Sequence, residues 1–273
     1  MTELSPSDFD RIARLARDRW GLNLTSRKMP LVSNRLNSFL RKSDFPSVEA
    51  YLDYLHRSTN SDDMLVFFDI LSTNVTSFFR DMSHFEYLER EFYTPLARGN
   101  LTTPGRRIRL WSAGCSNGCE PYSLAINALE SLPDIADWDV RILATDLSST
   151  AVEQAQRGEY ESRHVTGLNP EVVRRYFEAD PEQADRVRVS SHVRSLVSVA
   201  RLNLNDTWPM RGPFDVIFCR NVMIYFGAET REALVNRFHD LLRPGGILAI
   251  GSAETLSGVD VPLEYVQASI YRK

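Results

Sequence analysis

The chain has 273 residues, 43% apolar and 25% charged. That composition excludes a mostly disordered chain and suits one large domain or two modest ones. No run of about 18 apolar residues occurs, so no membrane-spanning helix is expected, and Met1–Pro6 lacks the basic-then-apolar pattern of a leader. Three cysteines argue against a disulfide scaffold and for a reducing compartment. The net charge of −4 is unevenly divided, because residues 11–42 carry nine Lys and Arg against Asp18 alone. That segment holds +8 and leaves −12 on the rest. A basic segment on an acidic body suggests a docking surface for an acidic partner, or simply helices with solvated basic faces.

The first hundred residues read as helices. Ser5 is a good N-cap with Pro6 behind it, and Phe9, Ile12, Ala13, Ala16 and Trp20 come at helical spacing. A second helix is predicted over Pro30–Lys42, with Val32, Leu36, Phe39 and Leu40 on its apolar side and Arg35 and Lys42 sharing a polar face. Val48–Leu55 and Met64–Leu71 are two more. Phe78, Phe79, Phe85, Tyr87 and Leu88 form an aromatic-rich stretch expected to pack against the next domain. A Gly- and Pro-bearing break at Arg98–Arg107 reads as a linker or exposed turn.

Beyond it strands and helices alternate. Strands are predicted at Ile108–Trp111, Val140–Thr145, Phe214–Cys219 and Gly246–Gly251, and helices at Glu120–Glu130, Ser149–Arg157 and Thr230–Leu242. Tyr265–Tyr271 is read as a final edge strand. This alternation indicates an α/β sheet with parallel strands. Between Glu159 and Asn205 the pattern breaks into a helix at Pro170–Phe177 and short strands at Val187–Val189 and Leu196–Leu202, read as an insertion. The expected organisation is a helical domain over 1–90, a linker over 91–105, and an α/β domain over 106–273 with its insertion at about 159–205.

Two turns carry chemistry. Trp111–Pro121 joins a strand to a helix through Gly114 and Gly118, which let backbone approach a ligand closely. It lacks both the G-x-G-x-x-G spacing of a dinucleotide site and the G-K-[ST] of a phosphate loop. Glu120 beside it repels a pyrophosphate but suits a cation. Asp146 ends the second strand, where an acid reaches both hydroxyls of a ribose, or serves as a helix cap. A ribose acid with an acid in place of phosphate chemistry fits S-adenosylmethionine, which is cationic and has no phosphate, better than NAD. Cys115 and Cys119 are too few ligands for a zinc site, and no histidine is near them, so no metal is expected.

Three segments resemble the chemotaxis receptor glutamate methyltransferases of the CheR type. They are Thr73–Asp81 (TNVTSFFRD), Trp111–Ser116 with Glu120–Ser123 (WSAGCS, EPYS), and Phe214–Phe226 (FDVIFCRNVMIYF). Their order and spacing match the family, as does Val32–Leu36 (VSNRL). The resemblance implies a small all-helical domain followed by a Rossmann-like class I methyltransferase domain with an inserted β-subdomain. It implies S-adenosyl-L-methionine as cofactor, S-adenosyl-L-homocysteine as product, and cofactor contacts from Asn74, Thr76, Arg80, Gly114, Glu120 and Asp146. Asn203 and Leu204 would flank the adenine, and Arg220 and Asn221 would close the site. One departure is Cys119, where the family usually has an acid.

The implied acceptor is a glutamate side chain on the cytoplasmic helical region of methyl-accepting receptors. It is ionised at neutral pH, so no general base is required. Arg80 and Tyr225 are the candidates for holding it in line, with Arg80 alternatively on the cofactor's carboxylate. Arg35, Arg41 and Lys42 are the candidates for docking the receptor. Whether the insertion grips a tethering peptide on the receptor tail, as in some family members, stays open. A cytoplasmic enzyme recruited to membrane receptors, without inserting in the membrane, is the expectation. A nucleic-acid substrate would need aromatics interleaved with the basic residues, and between Arg11 and Lys42 only Trp20 and Phe39 are aromatic, both on apolar stripes.

Overall fold

The structure is a computed structural model and describes residues 4–72, 76–101, 103–180, 182–183 and 185–273. The chain opens with α1 (Pro6–Trp20), where the Ser5 side chain accepts the Asp8 N–H at 3.0 Å and Gly21 closes the helix in the left-handed region. Helices α2 (Met29–Leu40), α3 (Val48–Arg57) and α4 (Ser61–Leu71) come next. Ser47 and Asn60 cap the last two, each accepting an N–H from the first turn. Their apolar faces meet in one cluster built on Ile12, Ala16, Trp20, Leu36, Tyr51, Leu52 and Phe67. Leu147, from the sheet domain, packs against this cluster and ties the two domains together.

The helix α5 (Ser83–Leu88) runs through a wide turn at Glu89–Tyr93 into α6 (Thr94–Ala97). Phe85, Leu88, Phe92, Tyr93 and Leu96 are buried in the same cluster as the sheet residues Ile108, Leu110 and Val216. The linker expected at 91–105 is therefore corrected: its first half is helix fixed to the sheet, because Phe92, Tyr93 and Leu96 are buried among the sheet's core residues. The aromatic stretch 78–88 belongs to the α/β domain from the start, so the boundary lies just after α4.

The sheet contains β1 (Arg107–Ala113), β2 (Asp139–Asp146), β6 (Val197–Arg201), β7 (Phe214–Cys219), β8 (Leu242–Ile250), β9 (Glu264–Gln267) and β10 (Ile270–Arg272). Their order is β6-β2-β1-β7-β8-β10-β9, parallel except for the antiparallel β10 and its partner β9. Helices α7 (Cys119–Ser131), α8 (Ser149–Arg157) and α11 (Ala228–Leu241) connect the strands. A separate three-stranded sheet, β3 (Glu159–Glu161), β4 (Phe177–Ala179) and β5 (Arg186–Val189), forms the insertion with α9 (Pro170–Tyr176) and α10 (Ser191–Arg194). The insertion ends earlier than expected: residues 197–201, read as part of it, pair with β2 as the edge of the main sheet. Their half-exposed alternation hides them from a search for buried parallel strands.

Candidate active site

Strand order places β1 between β2 and β7, and the chain leaves β1 and β2 on one side and β7 and β8 on the other. Ligands in such sheets sit beyond the carboxyl ends of the strands where the order reverses. Every strand of the parallel set contributes there: Gly114 after β1, Asp146 ending β2, Asn203 after β6, Arg220 after β7 and Gly251 after β8. Above this edge stands the helical domain. Leu22 bridges to Phe226, and the Asn23 N–H donates to the Tyr225 carbonyl at 2.7 Å. Between sheet edge and helices lies a cavity of about 450 Å³.

Of the residues proposed from sequence, Thr76, Arg80, Gly114, Glu120, Asp146, Asn203, Leu204, Arg220, Asn221 and Tyr225 all line this one cavity. Asn74 lies outside the described residues. Gly114 has φ of 82°, and a Cβ there would collide with the Val222 side chain, so the turn after β1 closes only on glycine. Asp146 spans the site's base. One carboxylate oxygen accepts the Ser116 N–H at 2.8 Å, and the other accepts the Ser148 N–H at 3.0 Å. It thus pins the β1 turn to the end of β2. The cap of α8 is Ser148, not Asp146. Burial pushes the Asp146 carboxyl above its usual range, against the pull of those amides.

Glu120 stands in the first turn of α7, where the helix dipole favours an acid. Its oxygens take the Ser112 hydroxyl at 2.7 Å and the Arg220 guanidinium at 3.3 Å. Burial raises its pKa, with Arg220 working in the opposite direction. Arg220 is 1% exposed at its side chain. It donates to Asp81 at 2.5 Å and to the Arg80 carbonyl at 2.7 Å. Arg220 therefore acts by holding Glu120 and the Phe79–Asp81 turn against the cavity. Phe79, Asp81, Ser116 and Asn221 all have left-handed backbones, with φ from 50° to 59°. Non-glycine residues in that region collect at sites where geometry is over-determined.

On the helical side, the Lys28 ammonium lies 4.2 Å from the centroid of the Tyr225 ring, and burial lowers its pKa. The docking candidates separate. Arg41 and Lys42 are exposed in the turn after α2. Arg35 is partly buried and donates to the Leu71 carbonyl at 2.8 Å and to that of Ser72. It bonds the C-terminal end of α4, whose last carbonyls lack helical partners. Arg35, read from sequence as sharing a docking face with Lys42, is thus turned at least in part to the end of α4. Arg11 is also consumed internally, by Asp53 at 2.5 Å and Asp8 at 3.7 Å.

Sequence reasoning passed over Lys28, Ser112, Asp81 and Glu254. Glu254 accepts three backbone N–H groups: Gly251 at 2.6 Å, Asn221 at 2.9 Å and Ile224 at 3.1 Å. Gly251 is packed so closely that a Cβ would lie 2.8 Å from the Asn221 nitrogen. The signal was present as an acid just beyond a strand's carboxyl end. Cys119 is fully buried and does not line the cavity, so the family departure falls behind the wall.

The donor set fits a nucleoside sulfonium. Two carboxylates face the cavity, one ending β2 and one at a helix start, and among the described residues no phosphate cradle accompanies them. A cavity of this volume suits a ligand of that size. Fold and site together define an S-adenosylmethionine-dependent methyltransferase. Residues 7–72 match the profile of the CheR methyltransferase all-alpha domain, and residues 74–272 that of the CheR methyltransferase SAM binding domain. The chain is 34% identical over 272 residues to the chemotaxis protein methyltransferase of Borreliella burgdorferi, covering 99% of this chain and 95% of that one. It is 37% identical over 275 residues to chemotaxis protein methyltransferase 1 of Pseudomonas aeruginosa, covering 97% of each. With the chemotaxis protein methyltransferase of Escherichia coli it shares 35% over 265 residues, covering 95% and 89%. The chain belongs to the CheR methyltransferase family.

Proposed function

We propose that the chain methylates glutamate side chains on the helical cytoplasmic region of chemotaxis receptors, forming methyl esters. The observation that carries this reading is the cavity's two-sided wall. The sheet edge supplies a cofactor floor through Asp146 and Glu120, and the helical domain supplies Lys28, whose ammonium rests on the ring of Tyr225 from the sheet domain. Bound S-adenosylmethionine supplies an electrophilic methyl group.

The chain's residues then have three tasks. Asp146 and the Gly114 turn fix the nucleoside end. Glu120, anchored by Ser112 and Arg220, offers a negative charge to the ligand's cationic end. Arg80 and Tyr225 hold the acceptor carboxylate in line, which is where most of the acceleration arises. No residue is needed to remove a proton, since the acceptor is ionised at neutral pH. The helical domain, packed over the cavity, excludes water and strengthens these electrostatic contacts.

Incubation with methyl-labelled S-adenosylmethionine and a receptor cytoplasmic fragment tests the reading. Label should enter the fragment and leave as methanol in mild base, as an ester does and an N-methyl group does not. Label entering RNA instead, or base-stable label on the fragment, overturns it. A tethering peptide on the receptor tail belongs to the same proposal only if deleting the tail slows labelling.

A further inference from the structure

Six large apolar side chains are exposed among the described residues, and only Leu31 and Ile224 of these line the cavity. Leu31, on α2, is 45% exposed, and Ile224, beside Tyr225, is 48% exposed. They come from different domains and line the same cavity. Lys28 lies one turn before Leu31, so the two share a face. The cavity wall thus carries two half-exposed apolar side chains, one from each domain, together with a cation resting on an aromatic ring. A site serving only a small polar cofactor gains nothing from apolar side chains left half in water.

We propose that Leu31 and Ile224 grip the polypeptide on either side of the acceptor carboxylate, with Lys28 joining Arg80 and Tyr225 in receiving the carboxylate itself. The occupant is a protein segment whose acceptor acid is flanked by apolar side chains, and the inference rests on the proposed function above. Charge complementarity selects the acid, because an ammonium drawn partly out of water gains most from a carboxylate. Apolar complementarity selects the neighbours. A glutamate in a wholly polar context leaves the apolar pair wet and binds more weakly. The pair therefore chooses among the many glutamates on an acidic receptor surface, which long-range charge alone cannot do.

Steady-state methylation of a receptor cytoplasmic fragment tests this with Leu31→Ser, Ile224→Ser and Lys28→Met, at low and high salt. Each serine variant should raise KM for the fragment by roughly three- to tenfold, the worth of a half-buried aliphatic side chain. That factor should be equal at both salts, because apolar contact is not screened. Lys28→Met should raise KM most at low salt, with the gap narrowing as salt rises. The dissociation constant for S-adenosylmethionine, read by calorimetry, should stay within twofold for Leu31→Ser and Ile224→Ser. Replacing the apolar neighbours of the methylated glutamate by serine should cost wild type the same factor and the Leu31 and Ile224 variants no more. Unchanged KM in folded Leu31 and Ile224 variants overturns the proposal. So does weakened cofactor binding in parallel with KM, which returns the apolar pair to the cofactor site. A dimer that these variants dissociate also overturns it, since the occupant is then a second copy. Wild type that leaves the fragment unlabelled defeats the proposed function itself, a separate outcome.

Discussion

Single side chains at this site mostly act by holding backbone. Asp146 bonds two amides and still faces the cavity, so Asp146→Ala removes the proposed ribose acceptor and loosens the β1 turn together. Affinity for S-adenosylmethionine should fall about tenfold or more, since a hydrogen bond to a charged group is worth about 1.5–3 kcal/mol; unchanged calorimetric affinity would take Asp146 out of the site. Tyr225→Phe keeps the ring beneath Lys28 and removes only the hydroxyl. Turnover should drop while cofactor affinity holds, and a parallel loss of both would assign the hydroxyl to cofactor binding. Glu254 is the residue whose importance exceeds its visibility. Glu254→Ala strands the amides of Gly251, Asn221 and Ile224, each costing about 1 kcal/mol or more when unpaired. The segment carrying Asn221 and Tyr225 should loosen, with kcat/KM falling at least tenfold and Glu254→Gln intermediate. Wild-type kinetics for Glu254→Ala would show that the segment holds its shape without the clamp.

Among the elements, α2 does two things with one charge run. Arg35 is spent on the end of α4, immediately before the segment leading to Thr76. Arg41 and Lys42 stay in solvent at the other end of the helix. Charge reversal should therefore separate the roles. Arg41→Glu with Lys42→Glu should slow methylation of a receptor fragment at low salt and flatten the salt dependence, with thermal stability nearly unchanged. Arg35→Ala should instead lower the melting temperature, because carbonyls at a helix end lose their donor. Equal rates and equal salt slopes for wild type and the double reversal would leave Arg41 and Lys42 as solvated surface.

Across the molecule, the chain from Phe78 to Leu96 packs on the sheet while its first turn reaches the site, so stability and site share a seam. His84 is buried in that seam beside Phe218, near the Arg220–Asp81 pair. Burial, and then the Arg220 charge, lower its pKa to about 4. The folded protein thus keeps His84 neutral while the unfolded chain protonates it near pH 6.5. The unfolded state binds the extra proton between these values, so the stabilising contribution is complete above about pH 6.5 and is lost as pH falls toward 4. By about pH 5 the loss is on the order of 2 kcal/mol, a drop of several degrees in melting temperature. His84→Gln should flatten the melting curve's pH dependence over that window. An equally steep dependence in the variant would place the acid sensitivity elsewhere.

Local physics made much of this chain readable from its residues alone. Ser5, Pro6 and Gly21 mark α1 because caps act within a turn. The parallel strands declare themselves through apolar runs and the turns after them. At the cavity, Gly114, Glu120 and Asp146 were legible because chemistry at strand ends is carried by few residue types, whereas Thr76, Arg80, Asn203, Leu204, Arg220 and Asn221 were reached only through the family resemblance. Three matters needed the folded molecule. Packing took Phe92, Tyr93 and Leu96 into the sheet's core, where a linker had been expected over 91–105. Pairing joined residues 197–201 to β2, since register depends on a partner some fifty residues away. The neighbouring helix turned Arg35 inward while Arg41 stayed outside. A charged side chain looks the same in sequence whether it meets water or the end of a neighbouring helix, and only the neighbour's position tells them apart.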